Sequence, residues 1–271
     1  RTYWKDGGWL FGLVPKKLWE QMSTPDEHNR HCFNTRCLLI ESGQQRILVD
    51  TGYGDNLSEE QRRFIKLEGR QRLLGDLERL GIGPHDVDLI IYTLLLGVRC
   101  GGNTSYAADG ELVLTFPRAT YCVQRIELAD AHLPNERTRA TYLGENFRPL
   151  EQSNQLRVLW GDTRLTDHVR VIVAPGHTRA HQCVVLESRG QKALFLGAAA
   201  PWPIHIERLS WVPAYDVEPL VSMETKRKLA RWALDNRALL IFGDHPKIEA
   251  GYLHATKRPD RFQLEPVAIS G

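Results

Sequence analysis

Long apolar runs, paired cysteines and a surplus of one charge are all missing from this sequence, and each absence removes a class of protein. No apolar stretch approaches the roughly 18 residues that a membrane-spanning helix needs, so no membrane contact is expected. The 35 Lys and Arg are scattered and almost matched by 33 Asp and Glu, a formal net charge of +2. That balance leaves no basic stripe for nucleic acid. Five cysteines (Cys32, Cys37, Cys100, Cys122 and Cys183) are an odd number without CxxC spacing, so neither a disulfide framework nor a zinc ribbon is expected. Reduced thiols imply a reducing compartment, and the chain is read as cytoplasmic, soluble and globular. Repeats and low-complexity tracts are absent too. The chain opens at Arg1 without a methionine, and no leader pattern is read there. What is present is ordinary: 271 residues, 42% hydrophobic and 25% charged, a length that suits one layered α/β domain over residues 1–271.

The apolar pattern lays out the elements. NTRCLLIE (residues 34–41) and RILVDTG flank a Ser-Gly turn, a hairpin signal. Charged and apolar residues alternate at helical spacing from Ser58 to Leu80, and Gly81, Gly83 and Pro84 stop that helix. The continuous run DVDLIIYT reads as a buried strand, followed by the strand ATYCVQ and a helix start at IELADA. Residues 131–154 are polar and read as an irregular excursion. Strands return at QLRVLW, VRVIVAP, QCVVLES and KALFLG, and Ala198 to Pro219 is irregular. Glu224 to Asn236 reads as a helix, RALLIFG as the last strong strand, and residues 257–271 as a closing strand and tail. Strands followed by a helix, twice over, predict an αββα sandwich of two mixed β-sheets flanked by helices.

In such layers, sites sit where loops leave strand ends. Five junctions therefore matter: LVDTG, IIYT running toward CGGNT, APGHTRAH, LFLGAAAP and FGDHP. In that order they resemble the metallo-β-lactamase fold superfamily, its lactonase-like hydrolases above all, over about residues 34 to 253. The resemblance implies a dinuclear metal site, normally zinc, held by a Thr-His-x-His-x-Asp-His motif before Gly-Gly and by later turns. Metal ions so held lower the pKa of a bridging water to near neutrality. Laid on this chain, the first His of that motif falls on Leu94, the second on Leu96, the Asp on Val98 and the last His on Arg99. The His of the Gly-His-Thr turn is kept as His177. The bridging Asp falls on Ala198, and the late His-Asp turn reads Asp244-His245, as if exchanged. Leu, Val and Ala offer a metal no donor, and Arg99 would set a cation beside it. Neither a metal nor another cofactor is expected.

The losses concentrate on ligand positions while the glycine turns and core strands read as intact. That pattern implies an apolar pocket for a small molecule, lined by Leu94, Leu96, Val98, Arg99, Ala198 and Trp202, with Trp211 near it. It suits deliberate redesign of a natural hydrolase scaffold, or a natural pseudoenzyme. His177 and His245 are the candidate general bases, because imidazole titrates near neutrality. Asp244 is a candidate acid–base partner, although neighbours in sequence point apart and an Asp244–His245 dyad is not expected. Asp50 is read as structural, holding its own turn. Cys122 and Cys100 are the thiols to weigh as nucleophiles, with Arg99 or the glycine turn stabilising an oxyanion; the competing reading is that both are small buried hydrophobes. Ser105 and Lys247 are weaker candidates. His28, His31, His85, His132, His168, His181, His205 and His254 are mostly expected on loops or the surface, with His181 and His205 nearest the pocket by sequence. Three functions follow: metal-independent ester hydrolysis by a His-based site, non-catalytic binding of an apolar small molecule, or weak mononuclear metallohydrolysis with His177, His245 and a carboxylate.

Overall fold

A computed structural model describes residues 1–69, 71–107 and 109–268. The chain divides into two compact units, one of Arg1 and residues 35–161, the other of residues 2–34 and 162–271.

The first unit is built on a five-stranded mixed sheet. The hairpin forms, with Leu38–Ser42 antiparallel to Gln45–Val49 and Gly43 turning the chain at a φ of 65°. Gln45–Val49 then lies parallel to Leu89–Ile91, Leu89–Ile91 to Thr120–Gln124, and Thr120–Gln124 to Leu156–Leu159. Ile47, Leu48, Val49, Ile90 and Ile91 are all buried, the double-sided burial that makes a parallel strand read as a continuous apolar run. Val49 pairs with Ile91, so the turns after these two strands leave the sheet side by side. The helix expected over Ser58 to Leu80 forms instead as two pieces, Glu59–Phe64 and Leu73–Arg79. Left-handed backbone at Lys66 (φ 43°) and Gly69 (φ 75°) turns the chain between them. The first piece buries none of its residues, so no packed face carries a helix through that turn. IELADA lies within the helix Arg125–His132. The excursion over 131–154 is less irregular than its composition suggests, since Arg148–Gln152 forms a helical turn that buries Leu150.

The second unit holds a seven-stranded mixed sheet. Val169–Val173, Gln182–Ser188 and Gln191–Phe195 pair antiparallel in succession, and Gln191–Phe195 lies parallel to Leu239–Ile241. The helix Pro219–Asn236 spans that parallel step, with Pro219 in its first turn, where a missing N–H is harmless. Leu229, Ala230 and Ala233 from this helix join Leu194, Leu240 and Phe242 in one core. Ala250–Ala255 and Phe262–Val267 close the sheet; the last three residues of the tail expected over 257–271 lie outside the described residues. Thr2–Asp6 pairs with Arg30–Asn34, and Pro203–Glu207 is helical within a stretch expected to be irregular. Among the described residues no helix is long and apolar enough to cross a membrane.

His205 is fully buried in this unit rather than at the surface. Its Nδ1 accepts from the Trp202 N–H (3.2 Å) and its Nε2 donates to the Leu10 carbonyl (3.0 Å), the bonding of a neutral ring. Burial first, and then Lys226, push its pKa down to about 4, against the weaker pull of Asp216. An unfolded histidine titrates near 6.5, so between about pH 6.5 and 4 the unfolded chain binds the extra proton. Stability from this group is therefore complete above about pH 6.5 and is lost as pH falls toward 4. Urea unfolding at pH 7 and pH 5 is expected to show a loss of about 2 kcal/mol from this site, and His205→Phe should flatten that slope.

Candidate functional site

In the first unit the turn after Gln45–Val49 grips the turn after Leu89–Ile91. Asp50 has a φ of 57°, and its carboxylate accepts from the Thr93 N–H (2.8 Å) and the Thr93 hydroxyl (2.8 Å). Arg99 Nε lies 3.7 Å from the same carboxylate, and both side chains are buried. The Thr51 N–H donates to the Arg99 carbonyl (2.6 Å) and the Gly102 N–H to the Gly52 carbonyl (3.2 Å). A Cβ on Gly54 would sit 1.9 Å from the Gly101 carbonyl oxygen, and one on Gly101 would sit 2.5 Å from the Gly54 nitrogen. Gly54 and the CGG turn thus meet backbone to backbone, a requirement that exists with or without a metal. Leu94 and Leu95 are fully buried, Leu96 and Val98 half-buried. Leu95 packs in the core with Tyr92 and Phe147, and its N–H is held by the buried Glu127 carboxylate at 3.0 Å.

Cys122 and Cys100 are corrected by their surroundings. Both are fully buried; burial pushes the Cys122 thiol up to about 11 and that of Cys100 well above its usual value. Each is a protonated core side chain at neutral pH, not an available thiolate. No disulfide forms among the described residues.

In the second unit His177 stands in the turn after Val169–Val173. Gly176 has a φ of 133°, and a Cβ there would lie 2.3 Å from Ser222 Cα, so only glycine lets this turn seat against the start of the long helix. The Glu218 N–H donates to the Gly176 carbonyl (2.9 Å), fixing that approach. His177 Nδ1 lies 2.9 Å from Asp216 Oδ1, with both residues buried. The Ser222 hydroxyl donates to the other carboxylate oxygen at 2.5 Å. Buried Lys226 is near enough to feel the charge of Asp216, though burial dominates and lowers its pKa to about 8. His181 is fully buried beside this pair, its ring 6.2 Å from that of His177. Its Nε2 accepts from the Ala198 N–H at 2.9 Å.

His245 behaves differently. Its Nδ1 accepts from the Lys247 (3.1 Å) and Ile248 (2.8 Å) N–H groups, which commits that lone pair to its own turn and places the ring proton on Nε2. Its ring stands edge-on to Trp202 at 4.8 Å. Asp244 is buried and accepts from the Tyr3 hydroxyl (3.3 Å). Trp202 also meets Phe33, His31 and Phe11, and Phe11 meets Trp211. His31, expected at the surface, is therefore an inner member of an aromatic cluster, 2% exposed. Nothing local in the sequence marks Asp216 or Ser222, because Asp216 falls in the stretch expected to be irregular and its histidine partner lies 39 positions earlier.

No family model matches the chain. An N-acyl homoserine lactonase of Bacillus cereus is 24% identical over 225 residues, covering 79% of this chain and 82% of that protein. The lactonase AiiA of Bacillus thuringiensis subsp. kurstaki is likewise 24% identical over 217 residues, 76% of this chain and 79% of its own. A probable metal-dependent hydrolase from Staphylococcus aureus superposes with a TM-score of 0.87 at 26% identity, over 99% of this chain and 95% of that one. The hydrolase AbOPH of the β-lactamase superfamily superposes at 0.82 and 19% identity, over 100% and 92%. The chain has the fold of these metallo-β-lactamase-superfamily hydrolases. AidC, a dizinc quorum-quenching lactonase solved with its product N-hexanoyl-L-homoserine, shares the fold at a TM-score of 0.80 and 17% identity, over 100% and 92%.

The metal pair that the superfamily implies does not fit the residues present here. Leu94, Leu96, Val98 and Ala198 supply no donor atom, and Arg99 fills its place with a buried cation already facing Asp50. The Ala198 N–H occupies the lone pair of His181 Nε2, and two backbone N–H groups occupy that of His245 Nδ1. Among the described residues no group of three or more His, Cys, Asp or Glu is placed to hold a metal ion. This metallo-β-lactamase fold therefore keeps its glycine turns, the oriented His177 and the Asp244-His245 turn, while Leu94, Leu96, Val98, Arg99 and Ala198 leave the other ligand positions without a metal donor.

Proposed function

We propose that the chain is a hydrolase of small acyl esters or lactones that uses His177 as a general base oriented by Asp216, without a bound metal. The observation that carries this reading is the 2.9 Å contact between His177 Nδ1 and the buried Asp216 carboxylate. A carboxylate on Nδ1 holds the imidazole in the tautomer that leaves Nε2 as the acceptor, and it stabilises the imidazolium once a proton arrives. Nε2 then takes a proton from a water that attacks the acyl carbon, and the imidazolium returns it to the leaving alkoxide. The hydroxyl of Ser222 keeps the carboxylate from rotating away. The lactone class is supported by the relatives, which are N-acyl homoserine lactonases. The clustering of apolar replacements on ligand positions supports deliberate redesign of a hydrolase scaffold, and the undisulfided cysteines support work in a reducing cytoplasm. His245 is the weaker base, because its Nδ1 is held by its own turn.

The test is turnover of N-acyl homoserine lactones and p-nitrophenyl esters by purified protein in excess chelator, with His177→Ala beside it and circular dichroism as the folding control. Activity is expected to survive chelation and to drop about 10²- to 10⁴-fold in the variant. Activity that chelator abolishes and zinc restores would overturn the metal-free reading. Ligand binding without turnover would leave the binding-protein reading in its place.

A further inference from the structure

Two adjoining cavities in the second unit differ in character. The larger, about 600 Å³, is walled by rings and apolar side chains that include Phe11, His31, Trp202, Ile204 and His245. The second, about 530 Å³, shares Met22 and Glu207 with it and carries Arg208, Lys257, Arg258 and Arg261. Its lining sets four cations against one carboxylate, Glu207, whose Oε1 accepts from the Leu264 N–H (2.8 Å); Arg258 is also paired with Asp260, outside the lining, at 3.3 Å. Arg208 lies over the Trp211 ring at 4.9 Å, so the local charge is positive. In the aromatic wall, Trp202 Nε1 and His31 Nε2 are buried and have no hydrogen-bond partner among the described residues. His31 Nδ1, by contrast, is bonded to the Ser23 hydroxyl at 2.9 Å. Native proteins leave few such atoms unpaired, but both lie sealed behind the wall, out of reach of a molecule in the cavity.

We propose that these joined cavities form a binding site for an amphipathic small molecule with a flat aromatic body and one anionic group. The body packs against the half-buried rings of Trp4 and His245 in the wall of the larger cavity, with the buried aromatic cluster behind them. The anion enters the basic cavity, where arginine forks suit a sulfonate, carboxylate or phosphate. The site needs neither His177 nor Asp216, which line neither cavity, so it stands or falls apart from the proposed hydrolysis.

The probe is 8-anilinonaphthalene-1-sulfonate, titrated into the intact protein, with N-phenyl-1-naphthylamine as the same aromatic body without its charge. One saturable site is expected, at least about 5-fold tighter for the sulfonate, weakening with salt as a partly exposed charge contact should. Arg258→Ala with Arg261→Ala should weaken the sulfonate about 5-fold or more and leave the neutral probe unchanged. Thr24→Trp, on an exposed part of the aromatic cavity wall, should block both probes without disturbing the core, whereas His177→Ala should change neither. Equal affinity for the two probes, indifference to both sets of variants, or no saturable binding would each overturn the site.

Discussion

Asp50→Asn is expected to lower the unfolding free energy by about 3 kcal/mol, measured by urea denaturation, while the secondary structure at zero urea stays unchanged. Asparagine tolerates the φ of 57° at this position and can still accept from Thr93, so the change isolates the charge. Arg99 would then keep a guanidinium that is 1% exposed without the carboxylate that balances it. Removing one partner of a buried pair costs far more than removing both. Adding Arg99→Leu should therefore recover most of the loss, and a double variant as unstable as the single one would show that Arg99 serves something other than charge balance. The pair carries a further meaning for this fold. Where the superfamily resemblance places a metal-binding histidine, this chain has supplied its own internal cation and tied it to the turn that precedes it.

Asp216→Asn is expected to lower kcat for ester or lactone hydrolysis about 10²- to 10⁴-fold with little change in KM. The neutral amide no longer stabilises the imidazolium, and where it turns its N–H to Nδ1 it drives the ring proton to Nε2 and removes the base. Ser222→Ala is the matching control. It deletes the 2.5 Å bond to Asp216 but leaves the carboxylate on His177, so a loss of no more than about 10-fold is expected. A structural role for Asp216 would show the opposite pattern, with both variants losing stability and kcat falling only in step with the folded fraction.

Local chemistry made much of this protein legible in its sequence. The hairpin around Gly43, the buried strand ending in IIYT and the long helix before Asn236 depend on side-chain period and turn residues that lie within a few positions of each other. The loss of metal donors at Leu94, Leu96, Val98 and Ala198 is equally local, because a residue type either carries a donor atom or does not. The division of the segment from Ser58 to Leu80 needed the folded chain, since its helical spacing is real but left-handed backbone at Lys66 and Gly69 breaks it. Placement of titratable groups needed it too. His31, His181 and His205 look like loop histidines in the sequence yet are buried, and only their neighbours in space reveal it. The choice between His177 and His245 rests on contacts of the same kind. Both stand in turns at strand ends, but one ring meets a carboxylate from 39 residues away and the other meets the backbone two and three residues ahead. The sequence by itself determined the strand and turn pattern and the missing donors, which depend on nearest neighbours along the chain. Tertiary structure alone decided which histidine is oriented, which thiols are sealed away and where the aromatic cavity lies, because desolvation and hydrogen bonding act between groups that only folding brings together.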